Sequence, residues 1–134
     1  IEAAYGEQMQ QYLKDKMAGK DVKIPISNAN MIVNLTLNKG KAENKETSLA
    51  NFDSAMAILR DGITVKVGDI EHETKKRKLF PIDNLGDKAM WVPSLHQVSV
   101  VAKEQIFHVG VESGEEAIEK EKAVAIAQDV IKLL

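Results

Sequence analysis

The 134-residue sequence contains no cysteine, and this absence excludes several kinds of chemistry. Without thiols the chain has no disulfide framework, no thiolate nucleophile, no thiolate zinc site and no protein-ligated iron–sulfur cluster. No apolar run approaches the roughly 20 residues that a membrane-spanning helix needs. Aromatic residues make up only 4% of the chain, with a single Trp. Cysteine-based catalysis is therefore excluded, and the sequence predicts no membrane span.

The chain also lacks a large excess of positive or negative charge. The chain carries 18 Lys and Arg against 20 Asp and Glu, a formal net charge of -2, which gives no overall attraction to nucleic acid or anionic lipid. Hydrophobic residues at 44% and charged residues at 28% are close to globular averages. Because there is no repeat, low-complexity tract or linker, residues 1–134 are predicted to form one domain.

The N-terminal part predicts a helix and then a short strand. Five apolar residues at helical spacing form one stripe: Tyr5, Met9, Tyr12, Leu13 and Met17. Residues 22–26 alternate, and Pro25, which has no N–H to donate, places this strand at a sheet edge. The chain begins at Ile1 rather than Met, which we interpret as a processed or trimmed end, so that any targeting segment lies outside the sequence.

The clearest alternation in the first half runs from Met31 to Asn38 and predicts a half-buried strand. Its apolar positions face the core. The opposite, solvent-facing side then carries three polar side chains, Asn34, Thr36 and Asn38. These positions are candidates for a ligand or partner surface.

A second helix is predicted to begin with Thr47 or Ser48 as its N-cap and to end at Gly62. Strand-like alternation then returns from Ile63 and can continue to residue 74.

The segment that follows, residues 75–78, reads Lys-Lys-Arg-Lys and is the only dense basic run. We interpret it as the solvated end of a hairpin, because Glu71 and Glu73 and the acidic balance of the chain counter it. The alternative is a contact with a phosphate or an acidic partner.

The last part of the sequence predicts strands and a closing helix. Residues 89–92 form a short strand, and residues 95–102 and 105–112 form a hairpin around Lys103-Glu104, through a two-residue turn or a slightly longer loop. Residues 114–134 are predicted to be a helix packed across the sheet, opened by an S-x-x-E capping box at Ser113 and Glu116. The element order predicts an α+β class, with a single mostly antiparallel sheet packed with helices, including an N-terminal and a C-terminal helix.

The three histidines are not spaced as metal ligands. Alternation in the hairpin puts His96 on the core face and His108 on the opposite face, so these two should not share a metal. His72 lies between two glutamates that point away from it in a strand. We therefore interpret each as a surface or hydrogen-bonded histidine, and predict no metal site.

The sequence gives little support for other known kinds of catalytic or ligand-binding site. There is no G-x-S-x-G elbow, and Ser94 or Ser99 shares one strand or turn with His96, where neighbouring side chains point to opposite faces. The scattered glycines form no phosphate-binding loop, and residues 83–87 lack the ligand spacing of a calcium loop. The glutamates at the start of the last helix are explained by the helix dipole and solvation, and Glu116 has the spacing of a surface salt bridge to Lys120. We predict neither a cofactor nor a catalytic residue.

The segment Leu85-Gly86-Asp87-Lys88-Ala89-Met90-Trp91, followed by two alternating stretches and an Ala- and Lys-rich helix, resembles a pattern of small exported bacterial proteins, often lipoproteins, with a PsbP-like α/β fold. In that pattern G-L-G-D-x-A-x-W precedes strand, turn, strand and helix, over the last third to half of this chain. Asn84 stands where the pattern has its first glycine, and the cysteine pair frequent in the family's N-terminal half has no counterpart here.

The resemblance implies an exported protein with a membrane tether through a lipidated N terminus outside this sequence, and it transfers no catalytic residue. The motif residues also have physical roles of their own as a structural turn. Asn84 and Gly86 suit positive φ, Asp87 can accept local backbone N–H bonds, and Trp91 lies on one face of the next strand together with Ala89.

We expect a non-catalytic binding or accessory protein of the cell envelope, periplasmic or otherwise outside the cytoplasm, that recognises an unknown protein or small ligand. The candidate surface is Asn34, Thr36, Asn38 and His108. The edge at residues 22–26 could also pair with a partner or a second copy. The alternatives are a hydrolase that uses His96 or His108 with a nearby carboxylate, and a cytoplasmic adaptor.

Overall fold

The computed structural model describes residues 11, 14, 15, 18, 32–38 and 41–134. Its elements, in chain order, are β1 (Ile32–Leu37), α1 (Lys45–Asp61), β2 (Thr64–Val67), β3 (Ile70–Glu73), β4 (Phe80–Pro81), β5 (Lys88–Val92), a short 3-10 helix (Pro93–Leu95), β6 (Gln97–Ala102), β7 (Gln105–Glu112) and α2 (Glu116–Leu133). The predicted α+β class is confirmed. The apolar stripe of the predicted N-terminal helix and the predicted edge strand at residues 22–26 lie outside the described residues.

Five strands form the main sheet in the order β1-β7-β6-β5-β4, and every neighbouring pair is antiparallel. The period-two segment after α1 is a hairpin of its own, β2 with β3, and all eight of its residues are exposed. The chain turns back at Gly68-Asp69 rather than continuing as one strand. The basic run 75–78 therefore lies in the irregular connection between β3 and β4, after the end of the hairpin.

The largest core lies between one face of the main sheet and α2. Alternating residues of the two central strands point to this face and are fully buried, among them Val98, Val100, Phe107 and Val109. The stripe of α2 packs on them through Ala123, Ile126, Ala127 and Val130. The alternating apolar residues of the strands thus pack against the apolar stripe of α2, as the sequence predicts.

Helix α1 covers part of the other face, where Phe52 and Met56 pack on Val101 and Ile106. We expected the sheet to bury one face under helices and to expose the other face to solvent. The expectation for the second face was wrong, because α1 buries part of it. An apolar stripe shows that a helix has a buried side, but it does not say which face of a sheet the helix will cover. The second face is therefore apolar under α1 and polar beyond it.

The helix starts differ from those predicted. Asn44 is the N-cap of α1, and its side-chain oxygen accepts a hydrogen bond from the Thr47 N–H at 2.8 Å. Gly62 ends α1 as predicted, with a φ of 74°. At α2 the capping box does not form, because the N-cap is Glu115 and makes no side-chain capping bond.

The β6–β7 turn consists of Lys103 and Glu104 alone, both at positive φ (50° and 63°). The two-residue alternative was therefore right, although neither residue favours this backbone region. The Lys103 ammonium donates to the Ile131 and Leu134 carbonyls at 3.2 and 3.3 Å, so the turn also binds the carboxyl end of α2.

Candidate functional site

The four predicted surface residues lie on one side of the main sheet, the side that α1 partly covers. Strand β1 pairs with β7 so that Thr36 is opposite His108 and Asn34 is opposite Gly110, and Asn38 follows beyond the strand end. Asn34, Thr36 and Asn38 are exposed, and His108 is half-buried. We call this patch, with the adjoining Gln97 and Ser99 of β6, the polar face.

His108 has a hydrogen-bonding partner that the sequence interpretation missed. Ser99 lies opposite it on β6, and Ser99 Oγ is 2.8 Å from His108 Nδ1. The Gln97 amide donates to the same hydroxyl at 3.0 Å. Counting back from a two-residue turn at Lys103-Glu104 would have placed Ser99 opposite His108, so the signal was present in the sequence.

Burial lowers the pKa of His108 below its ordinary value, because the charged imidazolium loses hydration there. His108 is therefore neutral at pH 7. Ser99 is fully buried, at 0% exposure. A substrate carbonyl has no approach to its hydroxyl, so this Ser–His pair lacks the accessible nucleophile that acyl transfer requires.

His96 lies in a turn before β6 rather than in the strand, with a left-handed φ of 52°. Its Nδ1 is 2.8 Å from Oε1 of Glu119 on α2. A carboxylate can only accept, so Nδ1 carries the proton. His96 thus lies on the α2 side and His108 on the other face, which agrees with the predicted placement of the two histidines on opposite faces.

Glu119 was interpreted as a solvated glutamate near the helix start, and this was wrong, because it is only 2% exposed. Its Oε2 accepts hydrogen bonds from the backbone N–H groups of Ser113 and Gly114, at 2.7 and 3.1 Å. Both oxygens are therefore engaged in holding the β7–α2 connection. A hydrolase would need this carboxylate to be available for proton transfer, and its contacts are instead those of a structural residue.

The pKa values of this pair move in opposite directions. The hydrogen bond that His96 donates to the Glu119 carboxylate raises the pKa of His96. Burial by itself would raise the pKa of Glu119, but the hydrogen bonds from His96, Ser113 and Gly114 outweigh burial and the pKa lies below its ordinary value. The pair therefore favours an imidazolium next to a carboxylate.

The turn motif is observed at residues 84–87. Asn84 and Gly86 have positive φ values of 59° and 62°, as predicted. A Cβ at Gly86 would lie 2.8 Å from the Val101 carbonyl oxygen, so only glycine fits against β6. Trp91 is buried in the core with Ala89 on the same face.

The predicted role of Asp87 was wrong. Its carboxylate faces the Lys45 ammonium at 3.6 Å, while its backbone N–H donates to the Val101 carbonyl at 2.8 Å. The turn is thus fastened to β6 by main-chain contact, and of its side chains only Leu85 is buried in the core.

A second concave surface lies where the basic run passes the start of α2. Four cationic residues, 75–78, line a cavity of about 410 Å³ together with Phe80, Pro93, Ser94 and Glu116. Arg77 is held in place, since its guanidinium donates to Ser94 Oγ at 2.8 Å and its backbone N–H to the Leu59 carbonyl at 2.9 Å. Phe80, which is 46% exposed, lies beside these cations.

The sequence could not reveal this cavity, because its walls come from three separate segments. Glu116 and Lys120 were expected to form a surface salt bridge, but both line concave surface instead and make no ion pair in the described part of the chain. The basic run was interpreted as the solvated end of a hairpin, and the structure places it along the wall of this cavity.

Within residues 41–134 and the other described positions, no three His, Cys, Asp or Glu side chains are grouped as metal ligands. His72 lies in the exposed strand β3. None of the described helices has the length and apolar content needed to cross a bilayer. No protein-family model, curated protein or solved structure matches the chain.

Proposed function

We propose that the protein is a non-catalytic binding or accessory protein of the bacterial cell envelope, and that its polar face contacts a ligand or partner protein. The observation that carries this proposal is the Ser99–His108 hydrogen bond in the two central strands of the sheet. Polar side chains at such positions cost stability relative to apolar ones. Val101 and Ile106, on the same face of the same strands, are apolar and buried under α1.

The chemistry of the polar face indicates a neutral, polar ligand. His108 is uncharged at pH 7, and its neighbours Asn34, Thr36 and Gln97 offer amide and hydroxyl groups. The hydroxyl groups of saccharides and the amide groups of peptides match this set of donors and acceptors. Export and a lipid tether rest on the resemblance of residues 85–91 to exported bacterial lipoproteins, and they belong to the same proposal.

The test is a titration of ¹⁵N-labelled protein with neutral disaccharides and with neutral tripeptides, monitored by amide chemical shifts. We expect one class to perturb the amides of Asn34, Thr36 and His108. Asn34→Ala should weaken that binding at least tenfold, whereas Asn51→Ala, an exposed asparagine on α1, should leave it within twofold.

Shifts that cluster away from the polar face, or no shifts with either class, would contradict the proposal. Product formation from any member of the panel would favour the hydrolase alternative. A product assay on the same samples therefore separates the two functions.

A further inference from the structure

The cavity beside the basic run continues as a groove along α2. The cavity of about 410 Å³ shares Phe80, Pro93 and Glu116 with a second one of about 270 Å³. The second shares Ala117 and Lys120 with a third of about 580 Å³. One wall is β4 with the residue that follows it, and the other wall is α2. We call this continuous surface the β4–α2 groove.

The charge of the groove changes along its length. At its first end four cations, residues 75–78, face a single carboxylate, Glu116. Lys120 and Glu121 balance one another farther along. No acidic side chain of the described residues lies within 4 Å of the ammonium groups of Lys75, Lys76 or Lys78. Among the described residues that line this end of the groove, positive charge therefore predominates, although Asp61 is close enough to Lys76 to interact with it electrostatically.

The lining of the far end of the groove is mostly apolar. Ile82 lines it from the strand side, and Ala117, Val124 and Ala125 line it from α2. Gln128 lies at the end of the groove. In the middle, Phe80 and Pro93 line the groove together with the buried Trp91, which is the cross-strand neighbour of Phe80. Burial of this surface by a ligand would be favourable, since it removes apolar area from water.

We propose that the β4–α2 groove binds an extended peptide segment with acidic residues at one end and aliphatic residues over the rest. From Glu116 to Gln128, α2 advances about 18 Å at roughly 1.5 Å per residue. An extended chain covers that distance with about five or six residues. The acidic end lies at residues 75–78 and the aliphatic residues lie over Ile82 and Val124.

The peptide is held by side chains rather than by added strand pairing. Strand β4 is only two residues long, and Pro81 has no N–H to donate to a neighbouring strand. Specificity therefore comes from the charge at one end and the apolar floor at the other, with salt-sensitive attraction to the acidic end.

A nucleic acid fits the groove less well than a peptide. Cations lie at one end only, whereas a phosphate backbone needs positive charge along its whole path. Glu116 and Glu121 would face such a backbone, and Phe80 is the single ring that the groove exposes for base stacking.

The probe is a fluorescein-labelled hexapeptide, Glu-Glu-Val-Leu-Val-Leu, followed by fluorescence anisotropy with the full chain. Two variants test the two features of the groove. The triple variant Lys75→Glu, Lys76→Glu, Lys78→Glu reverses the charged end, and Ala117→Trp fills the middle of the groove without a change of charge. Each should weaken binding at least tenfold.

The matched control for charge is Lys41→Glu, Lys66→Glu, Lys132→Glu, which changes the net charge equally at exposed positions outside the groove. It should keep binding within threefold, and circular dichroism should show all three variants folded. A peptide with Lys in place of both Glu should bind at least tenfold more weakly.

Three results would overturn the proposal. Equal binding of the Lys peptide removes the charge argument, and unchanged binding to the Ala117→Trp variant removes the groove itself. Tighter binding of a labelled six-nucleotide single strand would assign the surface to nucleic acid. The polar face shares no residue with the groove, so failure here leaves the preceding proposal standing.

Discussion

Glu119 and His96 are joined by a 2.8 Å hydrogen bond across 23 positions of sequence. The same carboxylate accepts from the backbone N–H groups of Ser113 and Gly114. One buried side chain therefore connects the turn before β6, the loop after β7 and the first turn of α2. This arrangement replaces the capping box that the sequence suggests at this helix start.

Removal of the carboxylate should destabilise the protein strongly. Glu119→Ala leaves two backbone N–H groups and the His96 ring without their acceptor, and we expect a loss of about 3 kcal/mol in the free energy of unfolding. Urea denaturation measures it. Glu121→Ala, an exposed glutamate of the same helix, should change the stability by no more than about 0.5 kcal/mol. Similar values for the two variants would contradict the structural role of Glu119.

The His96–Glu119 pair should also make stability depend on pH. The pKa of His96 is raised on folding, so its contribution is complete below the ordinary value of 6.5 and is lost as the pH rises through the raised pKa. The pKa of Glu119 is lowered, so its contribution is complete above 4.5 and is lost as the pH falls. The pair is therefore most stabilising between these two values.

We expect His96→Gln to cost about 1 kcal/mol at pH 6, a figure discounted because the His96 side chain is 41% exposed to screening solvent. The cost should shrink by pH 9. In a Glu119→Gln background the same substitution should show no such pH dependence, which thermal unfolding in matched buffers would measure. A cost that is constant from pH 6 to pH 9 would refute the ion pair.

Gly86 and Gly68 offer a matched pair of substitutions. Both have a left-handed φ, 62° and 64°, but a Cβ at Gly86 meets the Val101 carbonyl and Val100, whereas nothing lies within 4 Å at Gly68. We expect Gly68→Ala to cost about 1 kcal/mol from backbone strain alone, and Gly86→Ala about 3 kcal/mol. Equal costs in chemical denaturation would show that the turn at residues 84–87 can move away from β6.

A substitution in the β6–β7 turn should increase the stability of the protein. Glu104 has a φ of 63°, which glycine adopts at no steric cost, and Lys103 keeps its contacts to α2 when Glu104 is replaced. Glu104→Gly should raise the free energy of unfolding by about 0.5 to 1 kcal/mol. The control is Glu121→Gly in the interior of α2, which should lower it by about 1 kcal/mol. A loss of stability in Glu104→Gly would contradict the strained turn.

The sequence predicts the sheet well where alternation is long. Strand β7 has the predicted bounds, β1 lies within its predicted range, and α2 begins two residues after its predicted start. In β1 and α2 burial and periodicity coincide, because each of these elements buries one side, whereas β7 is buried on both faces at its start. The α+β class follows from them.

Helix N-caps and side-chain hydrogen-bonding partners were harder to predict, because several neighbouring residues could take the same role. Asn44, Thr47 and Ser48 are all good N-caps within five positions, and the backbone path chooses Asn44. Glu119 has the same local pattern as Glu115 and Glu116, and only its position over the β7–α2 connection buries it. The polar face follows from strand alternation and from the register of the β6–β7 hairpin, whereas the cavity beside residues 75–78 depends on the approach of distant segments, which no local pattern encodes.

The short proline-containing strand β4 has a consequence for the behaviour of the protein at high concentration. A sheet edge with free N–H and C=O groups invites a second molecule to pair with it. At the β4 edge Pro81 withdraws a donor, and only Phe80 and Pro81 are extended. Growth of the sheet into fibrils or stacked oligomers is therefore disfavoured on this side.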